Sequence, residues 1–288
     1  MLTAYETRQL ASIHAWRAEP PPIPTRLFAK ASAPAVKLVQ RAIPVRLLRA
    51  ALNAVQTGAI RTQDVDSILT KAGAADLDAL QLLPLPYCDA LAASVRRRGT
   101  VLAGSSGAVF GIAGAFGLAA DIPTLLLQAF RVIHRIGLCY GEDCAAPALR
   151  RLPIAIFALA SANSVEEKQA ALDAIDHAED VRTGAWRDGV ERTAERQFAK
   201  EAAVYSLNNL GKTLTERFGV RKAAGSLPVL GALVGGTVNA MYLHDVAATA
   251  QRVFQQRRLD AKTRSAEPVT HHRPARKAVP KRRKPAPE

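Results

Sequence analysis

The sequence predicts an all-α protein: a multi-helix bundle with two glycine-rich apolar helical segments and a disordered basic C-terminal tail. Three observations carry this. No stretch of useful length alternates apolar and polar residues, as a half-buried strand would. The 288 residues are 49% hydrophobic but only 5% aromatic, and alanine dominates, which suits closely packed helices better than a β-rich core. Two long runs, residues 101–120 and 223–243, carry no charge and place glycines at helical spacing.

The elements follow in order. Thr3, followed three residues later by Glu6, forms a capping box that opens a helix to about Arg17, with Leu10, Ile13 and Trp16 on one side. Pro20, Pro21, Pro22 and Pro24 end it. A second helix is expected from about Ala35, interrupted near Pro44. It sets Val36, Val39, Ile43, Leu47 and Leu48 against Lys37, Arg41 and Arg49, a basic amphipathic pattern that suits either a solvated bundle surface or a membrane surface. Residues 64–82 read as two short helices broken at Gly73, and a further helix reaches Arg98.

In the run VLAGSSGAVFGIAGAFGLAA, Gly104, Gly107, Gly111, Gly114 and Gly117 fall on one helical stripe, where another backbone can approach closely. Asp121 is expected to cap the next helix, with Pro123 in its first turn. That helix reaches about Tyr140 and completes a hairpin. Arg96, Arg97 and Arg98 precede the hairpin's apolar part; Arg131 and Arg135 follow it. Residues 152–162 are apolar, and Ser164 with Glu167 opens a helix to about Asp180. Residues 186–210 have a helical pattern. The second charge-free run, AAGSLPVLGALVGGTVNAMYL, carries Gly231 and Gly235 and continues as helix to about Arg258. The division expected is a helical domain over 1–258 and a disordered tail over 259–288.

Charge is unevenly placed. The formal net charge is +14. Residues 20–63 hold seven basic and no acidic residues, and residues 255–288 hold eleven basic against three acidic ones, so the rest of the chain is near neutral. Such blocks seek polyanions, either anionic lipid or nucleic acid. Cys88, Cys139 and Cys144 make no even framework, which argues against a disulfide-stapled secreted scaffold. No basic stretch followed by an apolar core opens the chain, so the expected setting is cytoplasmic and reducing.

Here the residues resemble a known family. The block from Gly111 through Gly114, Gly117 and Asp121 to Pro123, then Cys139, Tyr140, Gly141, Glu142 and Asp143, is similar to the EcsC protein family. So are Tyr5, Glu6, Leu10, Ile13 and Trp16 near the start, and Leu227, Pro228, Gly231, Gly235, Gly236 and Asn239 later. The resemblance covers about residues 3–256. It implies a helical fold and a bacterial origin, and suggests a role beside a transporter or in envelope homeostasis. It brings no catalytic residues with it.

Gly211-Lys212-Thr213 is not a phosphate loop, since Ser206 stands where that pattern needs glycine. Cys139 and Cys144, with His134 nearest, lack the paired spacing of a zinc site and are expected to be buried thiols. His271 and His272 belong to the tail. Asp121 is either a helix cap or a functional carboxylate. Glu142 and Asp143 are expected to be a solvated pair rather than an acid–base unit. Tyr140, Asn239 and Asp245 complete the polar candidates. No cofactor or metal is called for.

The resulting expectation is a non-enzymatic protein held at an anionic membrane surface by Lys37, Arg41 and Arg49 and by Lys281, Arg282, Arg283 and Lys284 of the tail. A partner membrane protein complex is compatible with that. Spanning is disfavoured, because glycine and alanine bring little transfer energy and Arg131 follows Pro123 too closely for a return crossing of a core about 30 Å thick. Two alternatives stand beside it: nucleic-acid binding through the tail, and a hydrolase whose residues are scattered. Oligomeric state is not encoded legibly.

Overall fold

The computed structural model describes residues 2–21, 45–112, 114–162, 164–176 and 227–266. These residues form nine helices and no strand: α1 (Ala4–Ala18), α2 (Val45–Arg61), α3 (Val65–Ala72), α4 (Leu77–Leu82), α5 (Leu85–Ile112), α6 (Gly114–Cys139), α7 (Leu152–Ala160), α8 (Val165–Asp176) and α9 (Leu227–Ala266). The basic segment with Lys37 and Arg41, the pattern over 186–210, Gly211 to Thr213, and the tail with His271, His272 and Lys281 to Lys284 lie outside the described residues.

Local chemistry sets the ends of the helices. At α1, Thr3 Oγ1 accepts from the Glu6 N–H at 3.3 Å and Glu6 Oε2 accepts from the Thr3 N–H at 2.7 Å, so two otherwise orphan donors are satisfied reciprocally. Asp64 and Asp76 cap α3 and α4. Gly73 ends α3 with φ at +62°, a left-handed conformation that costs glycine little. Ser164 Oγ accepts from the Glu167 N–H at 3.1 Å at the start of α8, which runs to Asp176.

Three long helices make the framework: α5, α6 and α9 each pack on the other two. Contacts run in opposite order along α5 and α9. Gly99 faces Leu243, and Gly104 faces Ala240 and Gly236. Further along, Arg96 Nη1 donates to Gln251 Oε1 at 3.1 Å and Arg258 Nη1 to Cys88 Sγ at 3.1 Å. The two helices are therefore antiparallel. A Cβ on Gly236 would stand 2.9 Å from the Gly104 carbonyl oxygen, so the two charge-free segments meet backbone to backbone. The short α7, nearly all apolar, has seven of its nine residues buried. Its Phe157 stacks on Phe130 of α6, with ring centroids 5.3 Å apart.

Three boundaries differ from expectation. The helix expected to stop at Arg98 continues to Ile112, because alanine and glycine packed against α9 keep the helical path through the charge-free run. The next helix begins at Gly114, so Asp121 and Pro123 lie inside α6 and not at its start. Asp121 is therefore not the helix cap, and Pro123 withholds an internal backbone donor. Finally, α9 passes the expected limit at Arg258. Leu259 is buried and Lys262 is paired with Glu6 at 2.7 Å, so packing and an ion pair hold residues that composition alone assigns to a tail.

Replacing Gly236 by valine forces these two backbones apart. The expected loss is about 1–3 kcal/mol of unfolding free energy, read as a lower urea midpoint at unchanged slope; a midpoint equal to the wild type's would refute the contact.

Candidate functional site

A buried carboxylate ties the core together. Asp89 on α5 is 8% exposed. Its Oδ1 accepts from the Tyr140 hydroxyl at 2.5 Å, and its Oδ2 accepts from the Tyr5 hydroxyl at 2.7 Å and Gln255 Nε2 at 2.9 Å. Four elements converge on this group: α1, α5, α9 and the turn after α6. Charge-assisted bonds from three donors compensate its desolvation. Tyr5 is pushed up to about 12, by burial first and then by its bond to Asp89. Tyr140 is raised well above the ordinary range for the same reasons.

Two clefts flank this hub, and several of their ions are already engaged. The larger, about 940 Å³, lies along α9 beside the start of α1 and the α4–α5 junction. There Arg257 Nε donates to Glu142 at 2.8 and 3.1 Å. Arg258 donates to the carbonyls of Leu80, Gln81 and Leu83 at the end of α4, where a cation suits the helix dipole. The smaller, about 140 Å³, is walled by Trp16, Lys168, Asp245 and Arg252. Lys168 Nζ donates to the carbonyls of Trp16 and Glu19 at 2.5 and 2.6 Å, at the end of α1. Lys168 and Arg252 stand 4.9 and 5.0 Å from the Trp16 ring centre. Burial lowers the Lys168 pKa and raises that of Asp245.

The exposed surface of α5 is different. Val101, Leu102 and Val109 are 67%, 63% and 63% exposed. Together with Arg98 and Ser105 they fall on one stripe at three- and four-residue steps. Met241, on the antiparallel α9, is 61% exposed. Large apolar side chains left in water on adjoining helices make this face a candidate interaction surface. Beside it, between α2, α5, α6 and α9, opens a cavity of about 360 Å³ with Arg98, Arg131, Arg135 and His134 in its wall.

The sequence candidates are thus dispersed. Tyr140 joins Asp89, which carried no sequence signal of its own. Glu142 is not solvated but paired with Arg257, and Asp143 accepts from the Ala145 N–H at 2.8 Å; both belong to a turn held against α9 and α2. Asp245 lines the Trp16 pocket, and Asn239 is buried on α9. Glu142, Asp143 and Asp245 do not converge on one cavity, so the acid cluster that a hydrolase reading requires does not form among them. All three cysteines are free and buried, and burial pushes the Cys139 thiol up to about 12. Among the described residues no group of three or more His, Cys, Asp and Glu side chains gathers as metal ligands. No helix of the described residues is long and apolar enough to cross a membrane.

An all-helical bundle with glycine-packed central helices, a buried carboxylate hub and an exposed apolar face defines the class. The chain belongs to the EcsC protein family, whose family model matches residues 7–259. It is similar to the uncharacterized protein YdbA of Bacillus subtilis (strain 168), 27% identical over 183 residues, which cover 64% of this chain and 62% of that protein. The match thus spans less than two thirds of that relative's length. No solved structure matches.

The raised tyrosines set an alkaline limit. In the folded state Tyr5 keeps until about 12 a proton that the unfolded chain loses near 10.0, and Tyr140 holds its own well above the ordinary range. Stability should therefore fall as pH rises from about 10 to 12. Tyr5→Phe and Tyr140→Phe should flatten that fall while each lowering stability at pH 7 by about 1 kcal/mol. Chemical denaturation across pH checks both, and an undiminished alkaline slope in the double variant would contradict the assignment.

Proposed function

We propose that the protein is a non-enzymatic, peripheral membrane-surface protein that docks on anionic lipid through the exposed face of α5. The observation that carries this reading is the stripe of Val101, Leu102 and Val109 with Arg97 and Arg98 at its base. Apolar side chains gain by leaving water for the acyl boundary, and guanidiniums at headgroup level are attracted by the negative surface potential, each worth on the order of 1 kcal/mol. The net charge of +14 adds long-range attraction of the same sign. The lack of a membrane-length helix among the described residues favours attachment over spanning. Membership in the EcsC family fits a helical protein but assigns no chemistry, and in the larger cleft Glu142 and Glu6 are each engaged by a cation. A membrane protein complex remains the natural neighbour of a protein held at that surface.

Co-sedimentation with vesicles tests the reading. The full chain should pellet with phosphatidylglycerol-containing vesicles at low salt and be released as salt rises, with weak binding to phosphatidylcholine alone. The double variant Val101→Glu/Val109→Glu, altering exposed positions outside the core, should bind at least about tenfold more weakly. Failure to pellet with anionic vesicles at low salt, or equal binding by the variant, would end this proposal.

A further inference from the structure

Among the described residues, five buried side-chain polar atoms lack a hydrogen-bond partner, and four of them belong to Gln63, Gln128 and His134. All three residues line the cavity between α2, α5, α6 and α9. Elsewhere among the described residues only Thr100 Oγ1 is left so, so this concentration calls for a partner. His134 is fully buried with neither ring nitrogen bonded. The amide of Gln128 is oriented by its Nε2 donating to Ser106 Oγ at 3.2 Å, and that of Gln63 by a long contact to Asp143 Oδ1 at 3.5 Å. Both therefore turn an acceptor oxygen to the unpaired side.

Charge supplies the second observation. Arg98, Arg131 and Arg135 line the same cavity, and no acidic residue is among its lining residues. Arg131 donates its Nε to Thr62 Oγ1 at 2.7 Å, which fixes the guanidinium and leaves its other donors. Three guanidiniums lining one hollow with no carboxylate among them favour an anion there, and planar donor forks match phosphate oxygens. Burial holds His134 down to about 4, with Asp143 behind it the one opposing influence. At neutral pH the ring is uncharged and offers one donor and one acceptor. The cavity thus presents donors for an anion together with two amide oxygens and a ring nitrogen that require hydroxyl hydrogens. Inorganic phosphate, with one or two hydroxyl protons at neutral pH, cannot meet all three of these acceptors, whereas a hydroxylated ester can.

We propose that this cavity binds a phosphate ester carrying hydroxyl groups, of the glycerol-phosphate type. Its volume of about 360 Å³ lies at the small end of the range for ligand pockets, suited to a headgroup-sized molecule. Leu102 belongs both to the cavity wall and to the exposed α5 face, so a ligand seated there lies next to the apolar surface. That continuity favours the headgroup of an anionic lipid over a free polyol phosphate. The lipid source rests on the membrane-surface reading above; the phosphate site does not.

The test uses the full chain with glycerol 3-phosphate, glycerol, and phosphatidylglycerol vesicles. Glycerol 3-phosphate should raise the melting temperature and shift the His134 imidazole resonances in NMR spectra, and glycerol should do neither. Arg135→Gln should weaken binding by about ten- to a hundredfold. Gln128→Leu, which leaves the charge unchanged, should weaken it by several fold, with circular dichroism confirming the fold of both. Competition by glycerol 3-phosphate against vesicle binding would identify the lipid headgroup as the source. Binding of glycerol 3-phosphate without any vesicle binding would keep the site, assign it a soluble ester and remove the surface reading. Vesicle binding that both variants share undiminished, with no response of His134 or melting temperature to glycerol 3-phosphate, would overturn the site and leave the surface reading standing.

Discussion

The close approach of α5 and α9 is the constraint on which the other contacts depend. Gly104 and Gly236 let the two backbones meet with no side chain between them. Once that crossing is set, the antiparallel register follows at 1.5 Å per residue along both helices. It delivers Arg96 to Gln251, Asp89 to Gln255 and Cys88 to Arg258 in succession. A side chain at Gly236, whose Cβ would stand 2.9 Å from the Gly104 carbonyl oxygen, would push the helices apart and weaken these pairs, because hydrogen bonds weaken steeply beyond their range.

Within that register the polar groups divide the labour. Asp89 draws one donor from α1, one from α9 and one from the turn after α6, so elements far apart in sequence are fixed relative to one another by a single carboxylate. Arg258 and Lys168 act at helix ends instead: each places a cation on carbonyls at a helix C-terminus. Burying such charges is costly unless every partner is present. A single deletion in these networks therefore leaves a stranded donor or acceptor and affects the elements on both sides of it.

What the sequence revealed follows the range of each interaction. The capping boxes at Thr3 and Ser164, the break at Gly73 and the helical character of both charge-free runs were legible because those signals act within four residues. Asp89 was not, since its partners lie 51, 84 and 166 positions away and periodicity names a face without naming what meets it. Glu142 was misread for the same reason: an acidic neighbour pair in a turn looks solvated until α9 brings Arg257 beside it. Asp121 and Pro123 misled in another way. Cap and proline preferences are worth about 1–3 kcal/mol, and tertiary packing along α6 outweighs them. The arginines flanking the hairpin were visible as a group, but their enclosure around His134 depends on α2 and α9 closing the sides.

The contrast between the two halves of the molecule then has a physical meaning. Around Asp89 and along the second half of α9, Arg252, Arg257, Arg258 and Lys262 are matched by an aromatic face, carboxylates or carbonyls. Around His134, three arginines face a hollow without an acid in its lining, and uncharged acceptors stand unpaired beside them. Stability alone would fill such a space with leucine or valine, since a half-satisfied buried polar network is worse than an apolar core. A chain that completes its polar pairing in one region and leaves it open in another is consistent at every level except there, and such local exceptions are characteristic of binding sites. The open set lies against the exposed apolar face of α5, so the region that departs from the internal pairing rules adjoins the region that departs from the rule of polar surfaces. One ligand with a phosphate end and an apolar end satisfies both departures, whereas a purely structural account requires two separate defects on neighbouring faces of the same helix.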